Sequence, residues 1–174
     1  LTGIVFVAVL VGGTLSSPLS FTVLFALITG LSVWEFSTNV NNHAGASVNR
    51  LINTVAGVYL FLAFSGYCAD FVKPAAFIPY LVSIMYLLIS ELYLQKRNPL
   101  KNWAYAFASQ IYVALAFSLL NVLAFQYNPL INRTEFLPIY ALSIFIFLWT
   151  SDSGAYLCGS MLHKYFPAKL FPRI

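Results

Sequence analysis

A chain of 174 residues that is 60% hydrophobic and only 8% charged, with a mean hydropathy of +0.82, lies outside the composition of soluble globular domains. Its length allows about six spans of roughly 20 residues and leaves no charge-rich stretch for a soluble domain, so residues 1–174 read as a single transmembrane domain, an all-α polytopic helical bundle. The net charge of +4 comes from sparse basic residues between apolar runs, which argues against a nucleic-acid interface, and two cysteines without C-x-x-C spacing support neither a zinc site nor a redox motif.

The first apolar run, Leu1 to Leu15, starts without an initiator Met and lacks a basic flank or cleavage site, so it reads as a span cut at its start. Ser16-Ser17-Pro18 breaks it from a second span, Leu19 to Ser37, and the polar stretch Asn39 to Asn49 separates that from a third, Leu51 to Phe71. Lys73-Pro74 precedes a fourth span, Ala75 to Leu94. Gln95 to Asn102 leads into a fifth, Trp103 to Phe125, and Tyr127 to Arg133 into a sixth, Phe136 to about Met161. Long continuous apolar runs without strict alternation specify helices, which satisfy their own backbone in lipid.

If all six runs cross, the connections after the second, fourth and sixth hold Arg50, Lys96, Arg97, Lys101, Lys164, Lys169 and Arg173, whereas the others hold only Lys73 and Arg133. That asymmetry assigns the first set to the cytoplasm and predicts a multi-pass protein of the cell (cytoplasmic or inner) membrane. Cys68 and Cys158 then fall on opposite sides, which argues against a disulfide, and both read as buried thiols.

Asp152 is the residue that most needs a reason. It follows the apolar run Phe136 to Thr150 and opens Ser151-Asp152-Ser153-Gly154-Ala155-Tyr156, near the expected cytoplasmic end of the sixth span. A carboxylate at bilayer depth costs roughly 2.5–3.5 kcal/mol on insertion scales unless it is paired, hydrated or metal-bound. In helical geometry Asp152, Ala155, Tyr156 and Gly159 share a face at i, i+3, i+4 and i+7, a strip mostly free of bulk, although small residues also serve ordinary helix packing. Magnesium is the natural counter-ion for a carboxylate that meets substrate phosphates.

Other polar residues have blander readings. Glu35 and Glu91 mark span ends and are secondary candidates beside the chemistry, Gln110 and Asn121 share a face with Ala114 and Phe117 as a packing seam, and His43 and His163 lack ligand spacing. Lys164, Lys169 and Arg173, interleaved with Tyr165, Phe166, Leu170 and Phe171, read either as headgroup-level anchors or as contacts to a lipid or nucleotide phosphate.

The stretch from Trp149 through Asp152, Ala155, Tyr156 and Gly159, continuing to Lys169-Leu170-Phe171-Pro172-Arg173-Ile174, resembles the phosphatidate cytidylyltransferase (CDP-diglyceride synthase) family. The family pattern is D-x-x-A-Y-x-x-G followed by a basic segment ending in R-I, and the Trp34-Glu35-Phe36 ending of the second span adds to it. Ser160 and His163 depart from the Arg and second Gly that many members carry. The resemblance implies conversion of CTP and phosphatidate to CDP-diacylglycerol and pyrophosphate in phospholipid biosynthesis. It gives Asp152 a catalytic and magnesium-binding role, Tyr156, Lys164, Lys169 and Arg173 a substrate-binding role, and a monovalent cation and a homodimer as further expectations.

In that family a nucleotide-binding segment and a signature rich in Asp, Gly and His follow. The chain therefore reads as a piece of a longer protein, expected to be inactive alone. Three alternatives stay open: a CTP-dependent lipid-alcohol kinase, a transporter or channel using Asp152 as an ion or proton site, and a structural subunit.

Overall fold

The computed structural model describes residues 2–93 and 98–163. Seven α-helices and one short hairpin make up the described chain, in the expected all-α membrane architecture. Helix α1 covers Thr2–Ser16, α2 Pro18–His43 and α3 Arg50–Cys68. A single 3₁₀ turn, Pro74–Phe77, runs into α4, Ile78–Tyr93. Pro99–Ala124 is one continuous helix made of α5 (Pro99–Ala108), a π-helical segment (Ser109–Leu115) and α6 (Ala116–Ala124). After the antiparallel strands β1, Phe125–Asn128, and β2, Arg133–Phe136, α7 covers Pro138–His163.

Among the described residues five helical stretches are long and apolar enough to cross a membrane: Pro18–His43, Arg50–Cys68, Pro74–Tyr93, Pro99–Ala124 and Pro138–Ser160. The first expected run is the shorter apolar helix α1. Two boundaries differ from the sequence reading. The stretch expected to break after Ser37 stays helical to His43, and Gly45, at φ +62°, ends it by reversing the chain so that the Ala44 and Ala46 amides both donate to the Val40 carbonyl at 3.0 and 3.3 Å. The connection before the last span is a hairpin, paired from Phe125–Phe136 to Asn128–Arg133, whose four-residue turn closes through Asn132 at φ +51°.

Local chemistry sets the other ends. Ser17 caps α2 by accepting from the Ser20 amide at 3.1 Å while Ser20 Oγ accepts from the Ser17 amide at 3.0 Å, with Pro18 in the first helical turn where its missing N–H costs nothing. Asn49 caps α3 through the Ile52 amide at 3.2 Å. Asp70, at φ +61°, carries the turn after α3.

Helices α2 and α3 run antiparallel and in contact along their length, since Thr22 Oγ1 meets Ser65 Oγ at 2.8 Å near one end and Ser37 Oγ meets Asn53 Nδ2 at 2.9 Å near the other. Helix α7 runs parallel to α2, because Phe21 packs on Phe136 (5.6 Å between ring centroids) and Phe25 on Phe145 (5.7 Å). Those rings, with Phe61, Leu120, Ala124 and Ala141, form the main core at the hairpin end of the bundle. Smaller apolar clusters lie around Val33, Leu60 and Ala114, and around Val40, Ala46, Val48 and Ala106.

Candidate functional site

The Asp152 segment begins just past the midpoint of α7, not at its end, because the helix continues through Gly154 and Gly159 to His163. Counting from the Phe25–Phe145 contact along parallel helices puts Asp152 about one helical turn short of the depth of Glu35, toward the face that carries Arg50. Helix α7 touches α1 and α6, and the face bearing Asp152 is left open. Ser151, Asp152, Ser153 and Ala155 are all exposed, Tyr156 is 76% exposed, and apart from the helix's own backbone no described atom lies within 4 Å of where a Cβ on Gly154 or Gly159 would sit. A shallow groove of about 410 Å³ runs alongside, lined by Trp149, Thr150, Ser153, Gly154 and Leu157. The expected strip without bulk is thus present as an accessible surface around an exposed carboxylate.

Of the other expected site residues, Lys164, Lys169 and Arg173 lie outside the described residues. Glu35 is exposed on α2. No three His, Cys, Asp or Glu side chains come together as a ready-made metal cage among the described residues. The donor set at Asp152 is one carboxylate, since Ser151 and Ser153 project about 100° to either side of it on the helix, and a single carboxylate fits a magnesium ion that completes its shell with phosphate oxygens and water. It does not fit an all-protein cage.

Two polar clusters are built into the bundle. Asn53, fully buried, donates through Nδ2 to Ser37 Oγ at 2.9 Å and Ser109 Oγ at 2.6 Å, and accepts at its carbonyl and Oδ1 from Gln110 Nε2 at 2.7 and 2.9 Å. The amide seam expected on the fifth span therefore reaches α3 through Gln110. Asn121 instead donates within its own helix, to the Ser118 carbonyl at 3.0 Å. The π-helical segment begins at Ser109 and carries Gln110 and Ala114 against α3, where Ala114 Cβ would lie 3.2 Å from a Cβ on Gly57; π turns of this kind rephase one helix against its neighbour.

The second cluster sits at the face that carries Arg50. Glu91, 5% exposed, accepts from Asn102 Nδ2 at 2.7 Å, and Asn102 Oδ1 accepts from the Ser47 amide at 2.7 Å, so the end of α4, the start of α5 and the 44–49 connection are tied together. Glu91, read as marking a span end, is a buried carboxylate bonded to Asn102. Sequence reading missed Asn53, for which a lone Asn inside an apolar helical run was the available signal, and Asn102, which the polar connection Gln95 to Asn102 concealed. Cys68 is half-buried and Cys158 exposed, both free, so the expectation of two buried thiols fails for Cys158, which lies on the open face of α7.

The cytidylyltransferase family profile matches residues 1–174, the whole chain. The chain belongs to the cytidylyltransferase family. No curated protein and no solved structure gives a significant match. Membership makes this family protein a CTP-using transferase, and its long apolar helices make it a membrane protein. The resemblance first carried by Asp152, Ala155, Tyr156 and Gly159 thus extends to the entire chain.

Proposed function

We propose that the protein acts in transfer of a cytidylyl group from CTP to phosphatidate, giving CDP-diacylglycerol and pyrophosphate for phospholipid synthesis. The observation that carries this reading is the exposed Asp152 within D-x-x-A-Y-x-x-G, on an apolar helix of a chain matched throughout by the cytidylyltransferase profile. A lipid phosphate and a soluble nucleotide can meet only near a membrane face, and an accessible carboxylate on a membrane helix next to a groove suits that requirement.

In this reading Asp152 would hold Mg²⁺, which when bound would supply positive charge to offset that of the triphosphate and of the departing pyrophosphate. A phosphate oxygen of phosphatidate attacks the α-phosphorus of CTP in line, the bond from the α-phosphorus to its β-bridging oxygen breaks, and pyrophosphate leaves. Tyr156 flanks the substrate one turn from Asp152, and Lys164, Lys169 and Arg173 contact phosphates beyond it. The Asp152 end of α7 faces the cytoplasm, on the same side as Arg50 and Lys101, as the distribution of basic residues favours.

The test distinguishes this transfer from phosphorylation of a lipid alcohol. Membranes carrying the full-length gene product are given phosphatidate or a polyprenol with CTP labelled at the α- or γ-phosphorus. Label from the α-position in the lipid with phosphatidate is the expected result. Label from the γ-position in polyprenol would establish the kinase instead.

A further inference from the structure

A groove on the opposite flank of α2 from α7 has the form of a lipid site. Thr22, Ala26, Gly30 and Trp34 recur every four residues on α2 and face Thr54, Val58 and Leu62, spaced likewise on α3. Gly30 lets the helices close at mid-groove, since a Cβ there would lie 3.0 Å from Val58 Cγ2. Beside this seam is an apolar groove of about 440 Å³. From Thr22 to Trp34 it rises ~18 Å, close to the ~15 Å hydrocarbon depth of one leaflet.

The groove ends at a basic side chain, with the exposed carboxylate of Glu35 next to Trp34 in sequence. Arg50 lies one turn before Thr54 on the same stripe of α3, exposed, with its guanidinium 5.7 Å from the Trp34 ring centroid and Nη1 3.4 Å from Thr38 Oγ1. It makes no ion pair with any described residue. Trp34, of a residue type enriched at membrane–water interfaces, is 45% exposed at the mouth, and the buried Thr54 hydroxyl has no hydrogen-bond partner among the described residues. A chain-length apolar slot that ends at a guanidinium without an ion pair among the described residues, beside an aromatic ring, complements a molecule with a hydrocarbon tail and an anionic head.

We propose that this groove binds one acyl chain of an anionic glycerophospholipid, with the lipid phosphate held by Arg50 beside Trp34. The site shares no lining residue with the groove at Asp152 and does not depend on the transferase reading. Its occupant fastens α2 to α3 at the face where the 44–49 connection joins them.

Trp34 can report its own neighbour. In the full-length protein with every tryptophan other than Trp34 replaced by Phe, Trp103 and Trp149 among them, reconstituted in bilayers, quenching of Trp34 by chain-brominated phosphatidylglycerol is compared with quenching by chain-brominated phosphatidylcholine. The expected result is preferential occupancy by the anionic lipid of about fivefold, one basic group near an anionic headgroup accounting for that much. Arg50→Gln should bring the preference to unity and Arg50→Lys should retain most of it; both change an exposed side chain. Val58→Phe, which fills the slot, should lower quenching by both lipids. Equal quenching by the two lipids in the Arg50 protein, or a preference that survives Arg50→Gln, overturns the proposal. So does a preference abolished by inorganic phosphate at constant ionic strength, which would indicate a free-anion site.

Discussion

Asp152 and Asn53 are both polar residues in apolar helices, and they meet the cost of that position in opposite ways. Asn53 is fully buried and places its amide among Ser37, Ser109 and Gln110, so its polarity is spent on joining α3 to its neighbours. Asn53→Ala would remove its side-chain bonds to Ser37, Ser109 and Gln110, while Gln110 keeps the main-chain carbonyl of residue 53 and Ser109 that of Ala106. Interhelical polar bonds average about 0.6 kcal/mol each in membranes and an unsatisfied buried group costs about 1–3 kcal/mol, so a loss of about 2 kcal/mol is expected, read as a lower midpoint of thermal unfolding in detergent. Asp152 has no such protein surroundings: it is exposed on a face where nothing described packs. Asp152→Asn should therefore leave the unfolding midpoint within about 0.5 kcal/mol of wild type, the usual range for an exposed site, which would separate a functional carboxylate from a packing one. The sequence distinguishes Asp152 by its cost but not from Glu91, because whether a helix-end carboxylate is buried depends on what the neighbouring loop does. Here Asn102, drawn in by the Ser47 amide, covers Glu91.

At the scale of elements, the apolar runs made the helices legible to within a few residues, and the differences arise where local backbone chemistry outweighs polarity. Asn39, Asn41, Asn42 and His43 read as a loop by composition, yet the chain stays helical until Gly45, whose positive φ permits the reversal. Asn41 then uses its side chain to pair with both the amide and the carbonyl of Val48, at 2.8 and 2.9 Å, so the connection is held by polar residues that composition alone assigns to solvent. Gly45→Val should cost about 1–2 kcal/mol, the penalty of a left-handed conformation for an L-residue, and fray the end of α2, seen as faster amide exchange at Ala44 and Ala46. Ser17→Ala at the other end removes one side of a reciprocal cap and should cost about 1 kcal/mol. The hairpin of β1 and β2 was not legible: Phe125 and Phe136 read as span ends, and their pairing is decided by tertiary contact with Phe21 in the core. The π segment was equally hidden, because its phase change answers to Asn53 and Gly57, more than fifty residues earlier in the chain.

For the molecule as a whole, composition and span spacing made the all-α membrane bundle legible, and the motif around Asp152 made the family legible, because both are carried by contiguous residues. What the sequence alone left open is set by long-range packing: which faces of the helices stay free. Sidedness follows from the basic residues. A single cysteine introduced at Asn132 in the hairpin turn, in a protein with Cys68→Ser and Cys158→Ser, should react with an impermeant maleimide added outside, whereas one at Ser47 should react only after the membrane is opened. The reverse pattern would place the open face of Asp152 on the wrong side for cytoplasmic CTP. The most direct measurement of the central claim is CTP:phosphatidate cytidylyltransferase activity in membranes carrying the full-length gene product, wild type against Asp152→Asn, over a range of Mg²⁺ concentrations. We predict Mg²⁺-dependent CDP-diacylglycerol formation that falls on the order of a hundredfold in a normally folded mutant, since a lost metal-holding carboxylate forfeits several kcal/mol of charge stabilisation. Undiminished activity in the mutant, or no product from the folded wild type with both substrates present, would contradict the account.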